Sequence, residues 1–252
     1  MNDMNGAISF TVAADASGAY EAALAGKVVL VVDLIDMSTT MEAALQSGAR
    51  LVLGASPVPC KANVPVSPES VGRYAAEAAA AFGSEVVLVA EPRTGSPEER
   101  RQRASAVLQG LRAVGVKIAE IYPNLGAETV KLVDVRGRVV VAISDCGGTA
   151  FDTAWHAGAP VTTGTVARTY GRTGWDNAER AIDRALYLAS AQQRDICLLA
   201  ASGKAAEDVL AVRYLAGRML ELGYLRKQGP PDDECCSLPG NLKADTSLYL
   251  LS

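Results

Sequence analysis

Aspartates that close apolar runs, and the polar turns behind them, are the parts of this chain equipped for chemistry. Asp33 ends the run Val28 to Val32, Asp36 follows, and Ser38, Thr39 and Thr40 open a helix-like stretch that stops at Gly48. A β-branched apolar run of this kind reads as a buried parallel strand feeding a helix N-terminus. In open α/β sheets ligands sit outside the carboxyl ends of the strands, and the unpaired N–H groups of a helix N-terminus attract anions. Asp33 and Asp36 are therefore candidate metal-binding carboxylates beside a candidate phosphate cradle at Ser38, Thr39 and Thr40. A strand-terminal aspartate and a Ser/Thr cap are also ordinary features of α/β folds, so the segment alone fits a structural reading too.

Other strand ends repeat the pattern. Ser144 to Thr149 reads S-D-C-G-G-T, where Asp145 adds a carboxylate and Gly147, Gly148 and Thr149 offer backbone amides for an anion nest. Ala200 to Asp208 reads A-A-S-G-K-A-A-E-D, with Lys204 in the turn and Glu207 and Asp208 on the first turn of a helix. Ala90 to Arg93 reads A-E-P-R. Carboxylates gathered at strand ends suit Mg²⁺, which takes oxygen ligands and keeps water. Gly-rich turns with Arg or Lys suit phosphate. For Glu207 and Asp208 a favourable place in the helix dipole is the alternative, and for Gly147 and Gly148 a tight turn.

Several other chemistries lose their markers. Phosphate-loop and dinucleotide fingerprints are absent, and so is G-x-S-x-G. The one histidine, His156, follows Trp155 in a helix-like segment and has no expected nucleophile partner. Cys60, Cys146 and Cys197 stand alone and Cys235 and Cys236 are adjacent, a spacing that matches neither a metal site nor a disulfide framework.

The elements that must position these residues alternate along the chain. Strands are expected at Ile8 to Val12 (an edge), Val28 to Val32, Arg50 to Gly54, Glu85 to Ala90, Val116 to Tyr122, Gly137 to Ser144, Pro160 to Thr165 and Asp195 to Ala200. Helices are expected at Thr39 to Ser47, Ser67 to Phe82, Pro97 to Val114, Ala150 to His156, Asn177 to Ala191 and Ala205 to Leu222, with a short helix or loop at Ser17 to Ala25. Such alternation means a three-layer α/β/α fold around a mainly parallel sheet. No composition break precedes Gln228, so residues 1–228 read as a single α/β domain and residues 229–252 as a C-terminal tail.

Composition agrees. The chain has 252 residues, 49% of them hydrophobic and 5% aromatic, the material of Ala-rich helices on a Val/Leu sheet. A formal charge of −4 gives no reason to expect nucleic-acid binding. No apolar run approaches the ~20 residues of a membrane span, and the first twenty residues lack a secretory pattern. The expectation is a cytoplasmic protein acting on a small molecule, with no membrane partner and with homo-oligomer formation left open.

The strand-and-turn blocks resemble the 2-phosphosulfolactate phosphatases, Mg²⁺-dependent enzymes of coenzyme M biosynthesis. V-V-D-L-I-D-M-S-T-T resembles that family's V-I-D-V-L-R-A-T-T-T, V-V-V-A-I-S-D-C-G-G-T-A its strand and T-T-N-G-T-R-A, and D-I-C-L-L-A-A-S-G-K-A-A-E-D-V-L-A-V-R-Y-L-A-G its strand, Gly turn and E-D-x-x-x-A-G helix. Fainter likenesses are A-E-P-R to G-E-R and Y-P-N-L-G-A-E-T-V to G-F-D-x-x-N-S-P. The blocks run from Val28 to about Leu222. The resemblance implies a three-layer α/β/α fold and a hydrolase of phosphoric monoesters. It makes Asp33, Glu207 and Asp208 the metal and catalytic residues of a Mg²⁺ site, with Ser38, Thr39 and Thr40 lining the pocket.

The chain departs from the family at charged positions. Asp36 stands where the family has Arg, and Gly147 where it has Asn, with Asp145 just before. Arg168 and Arg172, in G-T-V-A-R-T-Y-G-R-T-G, are candidates to restore the positive charge. Three readings follow: a phosphatase of this family acting on an acid such as 2-phosphosulfolactate, a divergent enzyme with a less anionic substrate, or a non-catalytic binding or assembly subunit. If Asp36 points into the pocket, its exchange for Arg is expected to strengthen binding of a phosphorylated acid; if it points to solvent or caps the following helix, the exchange changes little.

Overall fold

Four runs of the chain are buried at every position: β2 (Val28–Val32), β4 (Val86–Ala90), β6 (Val139–Ile143) and β8 (Ile196–Ala200). Strands covered on both faces are the signature of parallel sheets, and the computed structural model, which describes residues 8–116 and 118–224, places these four at the centres of two sheets. One sheet has the order β1 (Phe10–Ala14), β8, β2, β7 (Val161–Thr163); the other has β3 (Leu51–Ala55), β6, β4, β5 (Ile118–Pro123). All pairings are parallel, in register from Val28 opposite Ile196 and from Val86 opposite Val139. The chain is therefore α/β with parallel strands, as the alternation implies, and its strands are shared between two sheets.

The helices complete the layers: α1 (Asp15–Leu24), α2 (Met37–Gln46), α3 (Pro68–Phe82), α4 (Pro97–Arg103), α5 (Ser105–Val114), α6 (Gly147–His156), α7 (Gly174–Gln192) and α8 (Ala206–Glu221). Two of them stitch the sheets together. Helix α2 leaves β2 in the first sheet and delivers β3 to the second; α6 leaves β6 in the second and delivers β7 to the first. Met37 to Ala44 and Gly147 to Ala154 are buried all round, as a helix enclosed by other elements must be. Gly54 of β3 lets both approach: a Cβ there would lie 2.6 Å from Phe151 Cβ and 2.8 Å from Met37 Sδ.

One apolar core joins the sheets, holding Val29, Val31 and Leu199 from the first and Leu53, Leu88 and Val141 from the second, with α1, α3, α5 and α6 around them. The opposite face of the first sheet, including Leu30 and Leu198, packs on α7 and α8. The opposite face of the second, Val87, Val89 and Val140, meets Ala44 of α2. Each large buried side chain contributes roughly 1.5–3 kcal/mol by leaving water.

Local departures from expectation have local causes. The first strand runs two residues later than Ile8 to Val12, at the sheet edge. The expected helix from Pro97 to Val114 breaks at Ala104 into α4, which carries a Ser96–Glu99 capping box, and α5. A 3-10 helix over Gly126–Lys131 packs on α2. The expected tail, with Cys235 and Cys236, lies outside the described residues. Among the described residues, no helix is long and apolar enough to cross a membrane.

Candidate active site

The carboxyl ends of the four central strands meet. Asp33 follows β2, Ser202 lies just past β8, Glu91 follows β4, and Asp145 follows β6. Together with Asp36, Cys146, Glu207 and Asp208 they line a cleft of about 290 Å³. A second lobe of about 370 Å³ shares Asp36, Glu91 and Asp145 with it and adds Arg93 and Arg103. Helix α2 starts from the edge of the cleft after Asp36, and α6 after Cys146. The crevice at strand ends that the sequence leads one to expect is thus built from two sheets at once.

Asp33 is held at the centre. Its side chain is 6% exposed, and its Oδ2 accepts the Gly147 N–H (3.1 Å) at the first turn of α6 and the Ser144 hydroxyl (3.5 Å). Gly147 has to be glycine, because a Cβ would come within 2.2 Å of Oδ2. Asp208, on the first turn of α8, reaches across to the adjacent backbone: its carboxylate accepts the Leu34 N–H (2.8 Å) and the Ser202 N–H (3.2 Å). Asp33 and Asp208, far apart in sequence, are brought into one cleft by β2 pairing with β8.

Their charges act on one another. Burial, then the charges of Asp208 and Asp36, push the Asp33 carboxyl up to about 7, against the N–H groups of Met37 and Gly147. Burial raises Asp208 as well, with Glu207 and Asp36 adding to it. Glu91 is pushed up to about 7, chiefly by burial, with Asp36, Asp33 and Asp145 contributing and the Asp145 N–H (3.1 Å) opposing. The Cys146 thiol is held at about 11 by burial and the same carboxylates, so it stays protonated and unreactive.

Two arginines answer the acids at the outer lobe. Arg93 pairs with Asp36 (2.7 Å) and also donates to the Ile35 carbonyl (3.1 Å). Arg103 lies 2.8 Å from Asp145 and 3.8 Å from Glu91. The charge at Asp36 is therefore answered from the end of β4.

The hydroxyls of the Ser38-Thr39-Thr40 run are engaged inside the protein. Ser38 Oγ accepts the Asp33 N–H (2.8 Å) and the Thr163 hydroxyl (2.7 Å) and donates to the Val31 carbonyl (3.1 Å). Thr39 donates to the Leu34 carbonyl and meets the Thr165 hydroxyl (2.8 Å). Thr40 donates to Asn124 Oδ1 and to the Gly126 carbonyl (3.1 Å). These three tie α2 to its neighbours, and Ser38 alone of them holds the Asp33 backbone.

The Gly148 N–H is taken by Ser144 Oγ (2.7 Å), and Thr149 is buried beside Cys60. Lys204 and Arg168 are exposed and stand outside the residues lining either lobe. Arg172 is drawn to the fully buried Glu42 (3.7 Å), which Arg184 also pairs. His156 is exposed at the end of α6.

Of the residues lining the two lobes, Glu91 and Arg93 are marked in the sequence only as part of the A-E-P-R turn, and Arg103 not at all. A-E-P-R sits at a strand end, which is a signal, but its strand joins the cleft only once the second sheet is assembled. Arg103 lies at a helix break and carries no motif. No known family model matches the chain, and no curated protein does either.

Proposed function

We propose that this cleft is the active site of a Mg²⁺-dependent phosphatase for a small phosphorylated acid, the chemistry implied by the likeness to 2-phosphosulfolactate phosphatases. The observation that carries it is the gathering of Asp33, Asp36, Glu91, Asp145, Glu207 and Asp208 around one cleft, with Arg93 and Arg103 lining the adjoining lobe. Buried carboxylates persist when they are paired or coordinate metal. The donor set is oxygen-rich, which suits Mg²⁺ over softer ions. Among the described residues no three acidic, His or Cys side chains form a ready-made metal cage; Mg²⁺ is usually bound by one or two carboxylates with water in the rest of its shell. Asp33 and Asp208 would hold it, with Glu207 beside them.

When bound, Mg²⁺ neutralises charge on the phosphoryl oxygens and makes water a better nucleophile. The chain supplies the rest. Backbone N–H groups hold the Asp33 and Asp208 carboxylates in place beside the cleft, so little entropy is lost in positioning them. Arg93 and Arg103 exchange their carboxylate partners for oxygens of the substrate. Glu91, which holds its proton up to about pH 7, is suited to protonate the leaving alkoxide. The overall reaction is hydrolysis of a phosphate monoester to an alcohol and inorganic phosphate, carried out in the cytoplasm on a freely diffusing substrate.

Calorimetric titration with Mg²⁺ tests the site. Wild-type protein is expected to bind the ion, and Asp33→Asn and Asp208→Asn each to weaken it about tenfold or more. Equal affinity in all three would refute the assignment. A less anionic substrate is the second reading, favoured by Asp36 and Asp145 already neutralising the arginines; Mg²⁺ binding without phosphatase activity would select it.

A further inference from the structure

The two sheets each leave an edge strand beside one further cavity. Strand β7 ends the first sheet and β3 begins the second, and among the described residues each pairs on one side only. Both line a slot of about 70 Å³, together with Leu45 of α2, Phe151 of α6 and Leu188 of α7. Leu51 and Val161 are the apolar contributions of the two strands. The slot holds more than a single water requires, and it shares no lining residue with the carboxylate cleft or its outer lobe.

Its wall also carries polar groups that suit a peptide better than a hydrocarbon. Pro160 and Gly164 turn their backbone groups to β2: the Pro160 carbonyl accepts the Val29 N–H (2.9 Å), and the Gly164 N–H donates to the Val31 carbonyl (3.0 Å). Backbone groups alternate sides along a parallel ladder, so the N–H and C=O of Val161 and the N–H of Thr163 are directed to the free side of β7. On that side the Thr163 carbonyl accepts from Arg184 Nη2 (2.8 Å), and the rest of that guanidinium's bonds go to Glu42. Arg184 Nε, which belongs to the same slot-lining residue, is buried with no acceptor. An open strand edge and an unpaired guanidinium N–H beside an apolar slot complement an extended peptide. The peptide backbone serves the edge, one of its carbonyls serves Nε, and an apolar side chain fills the slot.

The chain carries a segment of that kind. Outside the described residues its longest apolar run is 248–251, within T-S-L-Y-L-L-S. In an extended conformation Leu248 and Leu250 share one face. Residues 225–247 link the run to Tyr224, and that link can reach roughly 70 Å, more than the breadth of a domain of this length. A tether raises the effective concentration of its end to the millimolar range, so a modest contact suffices.

We propose that the slot between β3 and β7 is the docking site of the chain's own segment 246–252. The segment adds as a strand to the free edge of β7, places a leucine side chain in the slot and offers a carbonyl to Arg184 Nε. The docked segment covers the junction of the two sheets. The proposal is independent of the reaction assigned to the carboxylate cleft.

Hydrogen exchange of the Val161 and Thr163 amides in the full-length protein tests this. Both should exchange about tenfold slower or more in wild type than in the double variant Leu248→Asp, Leu250→Asp, because a carboxylate is costly in an apolar slot. The synthetic peptide T-S-L-Y-L-L-S, added to the double variant, should restore the protection, and a scrambled peptide of the same composition should not. Tyr187, 46% exposed, also lines the slot. Tyr187→Ala in the double variant should weaken binding of that peptide about fivefold or more.

Equal exchange in wild type and the double variant would overturn the proposal. So would failure of the peptide to restore protection, or equal restoration by the scrambled peptide. Protection that grows with protein concentration would give the slot to a second copy of the chain and overturn it too. If the double variant does not fold, Leu250→Ser decides on the same reading: faster exchange of Val161 and Thr163 supports the docking, and unchanged exchange overturns it.

Discussion

Asp33 Oδ2 receives the N–H of Gly147 at 3.1 Å, and this one bond joins the end of the first sheet's β2 to the start of the helix that leaves the second sheet. The close approach depends on a missing side chain, since a Cβ at Gly147 would stand 2.2 Å from the same oxygen. The carboxylate is thereby set against the positive end of α6, and the two sheets are locked in the relation that closes the cleft.

Gly147→Ala is expected to push Asp33 out of place. The clash is with a buried carboxylate and cannot be relieved by a flexible chain end, so stability should fall by about 2 kcal/mol or more. Thermal melts report the loss, and Mg²⁺ affinity should fall with it. A variant with wild-type Tm and wild-type metal affinity would contradict this account of Gly147.

Asp33 and Glu91 make stability depend on pH in a definite direction. Both carboxyls are raised to about 7 in the folded protein, from ordinary values of 3.8 and 4.5. A raised acid favours the folded state fully below its unfolded value, and that contribution is lost as pH rises through the folded value. In chelator, the protein should melt several degrees higher at pH 5 than at pH 8, on the order of 5 °C for a few kcal/mol. Added Mg²⁺ should narrow the gap at pH 8, and Asp33→Asn should reduce it without metal. A melting temperature that rises from pH 5 to pH 8 in chelator would contradict the charge crowding described here.

Ser38→Ala separates a supporting role from a ligand-binding one. The Asp33 N–H and the Thr163 hydroxyl both lose their acceptor, which costs about 1–3 kcal/mol when the groups stay buried. Urea denaturation should show that loss while affinity for inorganic phosphate changes less than about threefold. Loss of phosphate binding with unchanged stability would instead make Ser38 a direct ligand.

Much of this was legible from residue types. The uninterrupted Val/Leu runs at β2, β4, β6 and β8 mark buried parallel strands, and acidic residues at or just past their ends mark the crevice. The division into two sheets was not legible, because a buried parallel strand looks the same whichever sheet it joins. Nor was the fate of the hydroxyls at Ser38, Thr39 and Thr40: one helix N-terminus can offer such groups to a ligand or spend them on β7, Thr165 and Asn124, and tertiary packing decides. Arg93 reaching Asp36, and Arg103 reaching Asp145, are long-range pairs that no local spacing encodes.

Asp36 shows the difference most clearly. On sequence grounds, exchange for Arg replaces a repulsive charge with an attractive one. With Arg93 2.7 Å from Asp36, the same exchange sets two guanidiniums together, while Asp36→Asn releases Arg93 for a ligand. Asp36→Asn is expected to tighten phosphoglycolate binding about threefold to tenfold and, the pair being partly exposed, to change stability by less than about 1 kcal/mol. Calorimetry and thermal melts check the two parts independently; weaker phosphoglycolate binding in Asp36→Asn would show that Asp36 itself contacts the ligand.

Release of inorganic phosphate from phosphoglycolate at neutral pH, measured with Mg²⁺ and again with a chelator, decides whether the cleft is a metal-dependent phosphatase site. Release is expected to require Mg²⁺ and to fall about a hundredfold or more in Asp33→Asn. Release that persists in chelator, or is undiminished in Asp33→Asn, would contradict it, as would the absence of release from wild-type protein that binds both Mg²⁺ and phosphoglycolate.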